Sequence, residues 1–261
     1  MSRISSFVLT IIFLFMIGST SGWVLELLFR RFFSSANKEK KWINPGFLVG
    51  PCLPLYGFGL IALYILSLLP FMEKATTSVG RVIVSVIVMG AVMTLIELIA
   101  GIIFISGLHV KLWDYKDRWG NYKGIICPLF SLIWGVLGSL YYFFLQPHVV
   151  RAVSWFNQNI AFSFFVGIFV GIFIIDNCYS FRIVSIIKRL AVEYEVVVKY
   201  DELKAHIRNA AEESAEKVRF LFAFKSEGNF KAHINDYIKK TKSIINDGAQ
   251  TIKNIRIRGN K

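Results

Sequence analysis

Glu26, Glu97 and Asp176 stand inside long apolar stretches of this 261-residue chain. Apolar runs of about 20 residues read as membrane-spanning helices. A carboxylate inside one costs about 2.5–3.5 kcal/mol on insertion scales. A chain that keeps three of them must turn each toward a bundle interior, a partner or a watery cavity. This pattern predicts an integral membrane protein with an internal polar site. The chain is 55% hydrophobic, too apolar for an ordinary soluble domain.

The apolar runs place spans at about 7–29, 47–69, 82–106, 126–146 and 159–181. This gives an all-α class: a polytopic membrane helix bundle of about five transmembrane helices, followed by a C-terminal cytoplasmic helical tail. Two parts follow, a transmembrane domain over 1–181 and an amphipathic tail over 182–261. The run after Met1 continues to Phe29 with no small-x-small cleavage site before it, so it reads as a first span rather than a signal peptide. Basic residues cluster in alternate segments. Loop 30–46 carries Arg30, Arg31, Lys38, Lys40 and Lys41, loop 107–125 carries Lys111, Lys116, Arg118 and Lys123, and the tail opens with Arg182, Lys188 and Arg189. The other side holds Arg3, Lys74, Arg81 and Arg151. The positive-inside rule then predicts the N-terminus outside and the tail in the cytoplasm. The same rule accounts for the net charge of +13, which with no nucleic-acid motif gives no reason to expect a nucleic-acid partner.

In that frame the three acids fall at similar depth toward the cytoplasm. Glu26 lies close to Arg30 and Arg31 and either pairs with them or joins a site. Glu97, between Leu95, Ile96, Leu98 and Ile99, has only apolar neighbours and reads best as an internal polar site. The segment Asn44–Gly57 holds Pro45, Pro51 and Pro54 with Gly46, Gly50 and Gly57, and it includes Tyr56. Proline removes backbone donors, and irregular backbone at membrane depth is tolerated only where protein buries it or a cavity runs past it. The segment is either a broken helix or re-entrant turn, or a loop leading into a proline-started helix. A second cluster holds Trp113, Asp114, Tyr115, Trp119 and Asn121. Its aromatics suit a headgroup belt, while Asp114 and Asn121 add polar groups that a belt does not require. Beyond Pro128 come Trp134 and a small face of Gly135, Gly138 and Ser139, suited to helix contact. Glu26, Glu97, Asp176, Asn44, Asp114 and Asn121 are the candidate binding residues.

Several ordered motifs together resemble one bacterial family. They are Gly22-Trp23-x-x-Glu26, Asn44-x-Gly-Phe-Leu-x-Gly-Pro-x-x-Pro-Leu-Tyr-Gly57, Glu97-x-x-x-Gly101, Trp113-Asp-Tyr115 and Cys127-x-x-x-Ser131-x-x-Trp-Gly135. The family is that of the putative ABC-transporter type IV permeases, and the resemblance covers about residues 15–150. Pro45, Ile105 and Lys116 depart from its pattern. The resemblance implies a bacterial cytoplasmic membrane protein, a permease-like transport component, and a separate ATP-binding subunit as partner.

Over the tail, Ile183, Ile187, Leu190, Tyr194 and Val197 follow coiled-coil spacing, and Tyr200, Leu203, Ile207 and Ala210 continue it after a tightened step. This predicts a long helix from Phe181 that packs in cis or forms a homo-oligomer. Gly228-Asn229 reads as a cap and turn before a second amphipathic helix from Phe230 to Ile245. Its basic face, with Lys231, Lys239, Lys240 and Lys242, either meets anionic lipid or is solvated. Phe220–Phe224 is apolar enough to contact the membrane domain or a partner. The chain has no G-x-x-x-x-G-K-[ST] loop, no H-E-x-x-H and no G-x-S-x-G, and its four histidines are scattered. Cys52, Cys127 and Cys178 have no C-x-x-C spacing and read as small apolar packing. No cofactor or metal is expected, and the chain is read first as a protein that is not an enzyme. Three functions are left open. The first is a transport component. The alternative is a non-transporting interaction or regulatory protein acting through its tail. The third is an enzyme on lipid substrates using the inner carboxylates.

Overall fold

The computed structural model describes residues 3–34, 37, 39–70, 77–213 and 232–246. Lys38, Lys74, the apolar stretch 220–224, the Gly228-Asn229 turn, Phe230 and Lys231 lie outside them. Among the described residues the regular structure is helical apart from one minimal strand pair. The helices are α1 (Arg3–Phe32), α2 (Pro54–Ser67), α3 (Ser78–Ile102), α4 (Pro128–Leu140), α5 (Gln146–Gln158), α6 (Ser163–Glu193), α7 (Tyr200–Glu213) and α8 (residues 232–246). Strands β1 (Val110–Lys111) and β2 (Val198–Lys199) pair in parallel.

Among the described residues four apolar helical stretches are long enough to cross a membrane: Ile4–Phe32, Ser78–Gly107, Pro128–Gln158 and Ile160–Glu193. The predicted second span differs. Its helix begins only at Pro54 and has 14 residues, about 21 Å at 1.5 Å per residue, short of a hydrocarbon core of about 30 Å. Of the two readings of the Asn44–Gly57 segment, the proline-started helix describes its second half, since Pro54 takes the first turn, where a missing N–H costs little. Its first half is irregular backbone with Pro45, Phe47, Leu48, Cys52 and Leu53 buried.

Two other boundaries move. The predicted loop 147–158 is helix α5, joined to α4 through a π-helical turn over Tyr141–Leu145. Pro147 cannot donate to the preceding turn and its ring crowds the carbonyl four residues back. The wider turn accommodates it, so the helix continues where hydropathy suggested an end. Helix α6 runs past the predicted end at 181 to Glu193.

The chain forms two compact units, Met1–Ile102 with Asp114–Tyr179, and Ile103–Trp113 with Ser180–Lys261. In the first, α3 packs mainly on α4, and α1 on α2. The α3–α4 crossing is made by small residues. A Cβ added to Gly90 would stand 3.0 Å from Gly135 Cα and 3.1 Å from the Ser131 carbonyl, and the buried Ser85 and Ser139 hydroxyls bond at 2.8 Å. Two apolar clusters flank it. Phe13, Leu14, Val153, Phe156 and Val166 form one, with Phe13 stacked on Phe156 at 4.3 Å. Leu63, Met89, Met93 and Tyr141 form the other.

In the second unit the predicted single helix from Phe181 is interrupted. Helix α6 ends at Glu193, Glu195 turns with φ of +56°, and β2 follows. Val196 and Val198 are buried while Val197, expected on the helical stripe, is 44% exposed. That alternation has a period of two, and consecutive valines favour the strand. The tightened step in the helical spacing is where the helix breaks. Ile183, Ile187, Leu203 and Ile207 are buried as the stripe predicted, together with Ile234 and Ile238 of α8. Tyr237 donates to Glu202 at 3.1 Å, and His206 stands 3.3 Å from Asp236.

Replacing Gly90 by Val should wedge α3 from α4 and cost about 1–3 kcal/mol. Ser85→Ala should cost only about 0.6 kcal/mol, the mean for interhelical hydrogen bonds in lipid. Thermal unfolding of the detergent-solubilised variants checks the order.

Candidate functional site

Glu97 lies near the C-terminal end of α3, five residues before Ile102, and is 2% exposed. Its carboxylate accepts two hydrogen bonds, from the Tyr115 hydroxyl to Oε1 at 2.9 Å and from the Trp134 indole Nε1 to Oε2 at 3.2 Å. Both donors are neutral. The Tyr115 ring stacks on Phe130 at 4.3 Å and 11°. The Trp134 ring meets Tyr56 edge to face at 5.7 Å. Tyr56 then donates its hydroxyl to Glu26 Oε2 at 3.1 Å, and Glu26 Oε1 accepts from Arg30 Nε at 3.0 Å. One polar and aromatic chain thus runs Arg30, Glu26, Tyr56, Trp134, Glu97, Tyr115. It joins α1, α2, α3, α4 and the loop after β1.

The backbone around this chain is shaped by its glycines. A Cβ on Gly22 would collide with the Tyr56 side chain, so only glycine lets α1 pass that ring. Gly101, one turn beyond Glu97, leaves room for Ile125 in the same way. The loop carrying Tyr115 is tied by Asn121, whose amide donates to the carbonyls of Lys116 and Arg118, both at 2.9 Å, and whose Oδ1 accepts from Gly124 N at 3.0 Å. The Tyr115 amide closes the loop on the Gly124 carbonyl at 2.9 Å. Asp114 accepts from Lys116 N at 3.2 Å in a local turn. Burial, and then the negative charge of Glu97, push the Tyr115 phenol well above its ordinary value, so it stays a donor.

Asp176 and Asn44 form a second locus, on the irregular segment before α2. Asp176 Oδ1 accepts from Val49 N at 3.0 Å and Oδ2 from Gly50 N at 2.9 Å. A Cβ on Gly50 would lie 2.8 Å from that oxygen. Asn44 donates to the carbonyls of Leu48 and Val49 at 3.1 and 2.9 Å and accepts from Trp23 Nε1 at 2.6 Å. These side chains take up backbone groups that Pro45, Pro51 and Pro54 deny to regular structure. Gly46, at φ of +76°, turns the segment against Leu53.

The structure therefore gathers Glu26 and Glu97 into one network through Tyr56 and Trp134, and it gives Asp176 and Asn44 the separate work of holding a loop. Asn121 and Asp114 hydrogen-bond within the loop that carries Tyr115, and Trp113 belongs to the other unit. Of the structural positions, Tyr56, Tyr115 and Trp134 turn out to touch the carboxylates. Arg30 is the cation on Glu26, a pairing the spacing of one helical turn already offered. Phe130 is a neighbour that no polar pattern signalled. Among the described residues no cluster of His, Cys, Asp and Glu could hold a metal ion.

Asp176→Asn should weaken the grip on Val49 and Gly50, because an amide presents one oxygen to two N–H donors. A loss of about 1–3 kcal/mol is expected for the donor left unpaired. It should appear as a lower unfolding midpoint and as faster exchange of the two amides.

Neither the curated proteins nor the solved structures contain a match to the chain. The family described as "Putative ABC-transporter type IV" matches residues 13–181, which takes in the Glu97 network and the Asp176 loop and ends before α7 and α8. The motifs that suggested this family, from Gly22-Trp23 to Trp134-Gly135, lie within the matched region and supply most of the contacts just described; the chain belongs to the family described as putative ABC-transporter type IV.

Proposed function

We propose that the chain is a permease-like membrane component of a transport system, working with a separate ATP-binding subunit. In this reading α2 with its buried irregular lead completes a fifth crossing, the N-terminus lies outside, and the segments rich in Lys and Arg face the cytoplasm. The chain performs no covalent chemistry of its own. The observation that carries the reading is Glu97: a carboxylate buried in an apolar helix and held by two neutral donors. Intramembrane carboxylates of this kind mark substrate and ion pathways more often than they serve packing. Family membership supports the transport class. A second reading, a regulatory role centred on the C-terminal unit, draws support from that unit's own buried core.

Three experiments separate these. In a deletion strain complemented with Glu97→Gln at wild-type membrane abundance, the solute phenotype restored by the wild type should be lost. Full complementation by a combined Glu26→Gln, Glu97→Gln, Asp176→Asn variant would overturn the polar-site reading. Truncation after residue 182 should leave transport measurable if the membrane part is the working part, and complete loss favours the second reading. Crosslinking in native membranes followed by mass spectrometry should recover a stoichiometric nucleotide-binding subunit. Recovery of the chain with only non-ATPase partners would remove the ATP-driven label. For orientation, a cysteine at Lys116 should resist an impermeant maleimide in intact cells, and one at Arg151 should react.

A further inference from the structure

The backbone leaves the first compact unit and returns to it between Glu97 and Tyr115. Segment Ile103–Trp113 belongs to the second unit, while the two residues on either side of it hydrogen-bond each other at 2.9 Å inside the first. The excursion opens with a π-helical turn over Ile103–Gly107, a wide geometry frequent at functional sites. His109 follows with φ of +55°, its amide bonded to the Ile105 carbonyl at 3.2 Å. Then comes β1, which the C-terminal region holds. Val110 pairs with Val198 and Lys111 with Lys199, and Val198 N donates to the His109 carbonyl at 3.0 Å. Val110 and Val198 are 0% and 1% exposed, so the short ladder is fixed by buried side chains as well as by backbone.

From Lys111 to Tyr115 the chain has no helix to store slack. Four residues reach at most about 14 Å when extended. This short link is the path along which a displacement of β1 reaches the Tyr115 loop, and the π turn is its path to the end of α3. The other passage between the units behaves alike. Helix α6 is continuous through Tyr179 and Ser180, and Asp176, which grips Val49 and Gly50, lies about one turn before that point. Each covalent passage between the units thus has an anchoring carboxylate contact beside it.

We propose that the C-terminal unit controls the Glu97–Tyr115 contact through the β1–β2 ladder, as a latch operated along the backbone. The coupling needs no surface contact between the units and does not depend on the transport reading. It is a free-energy coupling and so acts in both directions. Anything that moves β2 loosens the Tyr115 loop, and breaking the Tyr115 hydrogen bond loosens the ladder.

Hydrogen exchange on the full-length protein in nanodiscs tests both directions. Val198→Pro deletes the donor to His109, and it should speed exchange across peptides covering 115–126 by about 5-fold or more. Tyr115→Phe removes only a hydroxyl in the first unit and should speed exchange of the Val198 and Lys199 amides. Wild-type exchange at 115–126 in a monodisperse Val198→Pro protein overturns the latch. So does wild-type exchange at 198–199 in Tyr115→Phe, and that arm decides alone if Val198→Pro does not fold.

Discussion

A carboxylate inside an apolar helix has to find donors from other elements, because its own helix has none to spare. Glu97 finds them in Tyr115 and Trp134, one on the loop after β1 and one on α4. That requirement fixes more than two bonds. It sets the rotation of α3, since the carboxylate must face α4. It draws the Tyr115 loop over the end of the pair, where Asn121 and the turns at Gly120, Lys123 and Gly124 give the loop its shape. Through the Trp134–Tyr56 ring contact and the Tyr56–Glu26 hydrogen bond it also constrains α2 and α1.

The surrounding packing follows from the solvent. Between helices in lipid there is little hydrophobic driving force, so close approach and interhelical polar contacts carry association. The first unit uses both. Gly90 and Gly135 let α3 and α4 touch backbone to backbone, and Ser85 meets Ser139 across the same crossing. Gly18, Gly22 and Gly57 do the same for α1 and α2, against Tyr56 and Phe15. The polar network therefore sits among helices brought close by glycine, which keeps Glu97 buried, with two neutral donors on its carboxylate among the described residues.

Sequence reasoning reached the helical class and, among the five spans it expected, the four long apolar stretches, because hydropathy and out-of-place charge are local signals. It set Glu26 beside Arg30 and Arg31 and left open whether it pairs with them or joins a site; the ion pair is with Arg30. It did not reveal which acid does what. Nothing local says that Asp176 takes the amides of Val49 and Gly50, or that Tyr56 and Trp134 bridge Glu26 to Glu97, because these are long-range contacts. The continuation of α4 into α5 was hidden because Pro147 and the polar residues after it look like a loop, whereas a π turn absorbs the proline. The tightened step between Val197 and Tyr200 lay beside the break after Glu193, but Val197 read as part of one helical stripe, because nothing local shows the pairing of Val198 with Val110.

The central claim is that Glu97 and Tyr115 act as one interaction holding the site together. A double-mutant cycle on unfolding free energy in detergent or bicelles, with Glu97→Leu, Tyr115→Phe and the pair, tests it most directly, since leucine leaves no acceptor for the Tyr115 hydroxyl. The account predicts that the double variant loses less than the sum of the two single losses, by about 0.6–1.7 kcal/mol, the range of hydrogen bonds between elements in a membrane protein. Additivity within about 0.3 kcal/mol would mean that the two residues do not cooperate, and it would contradict the account.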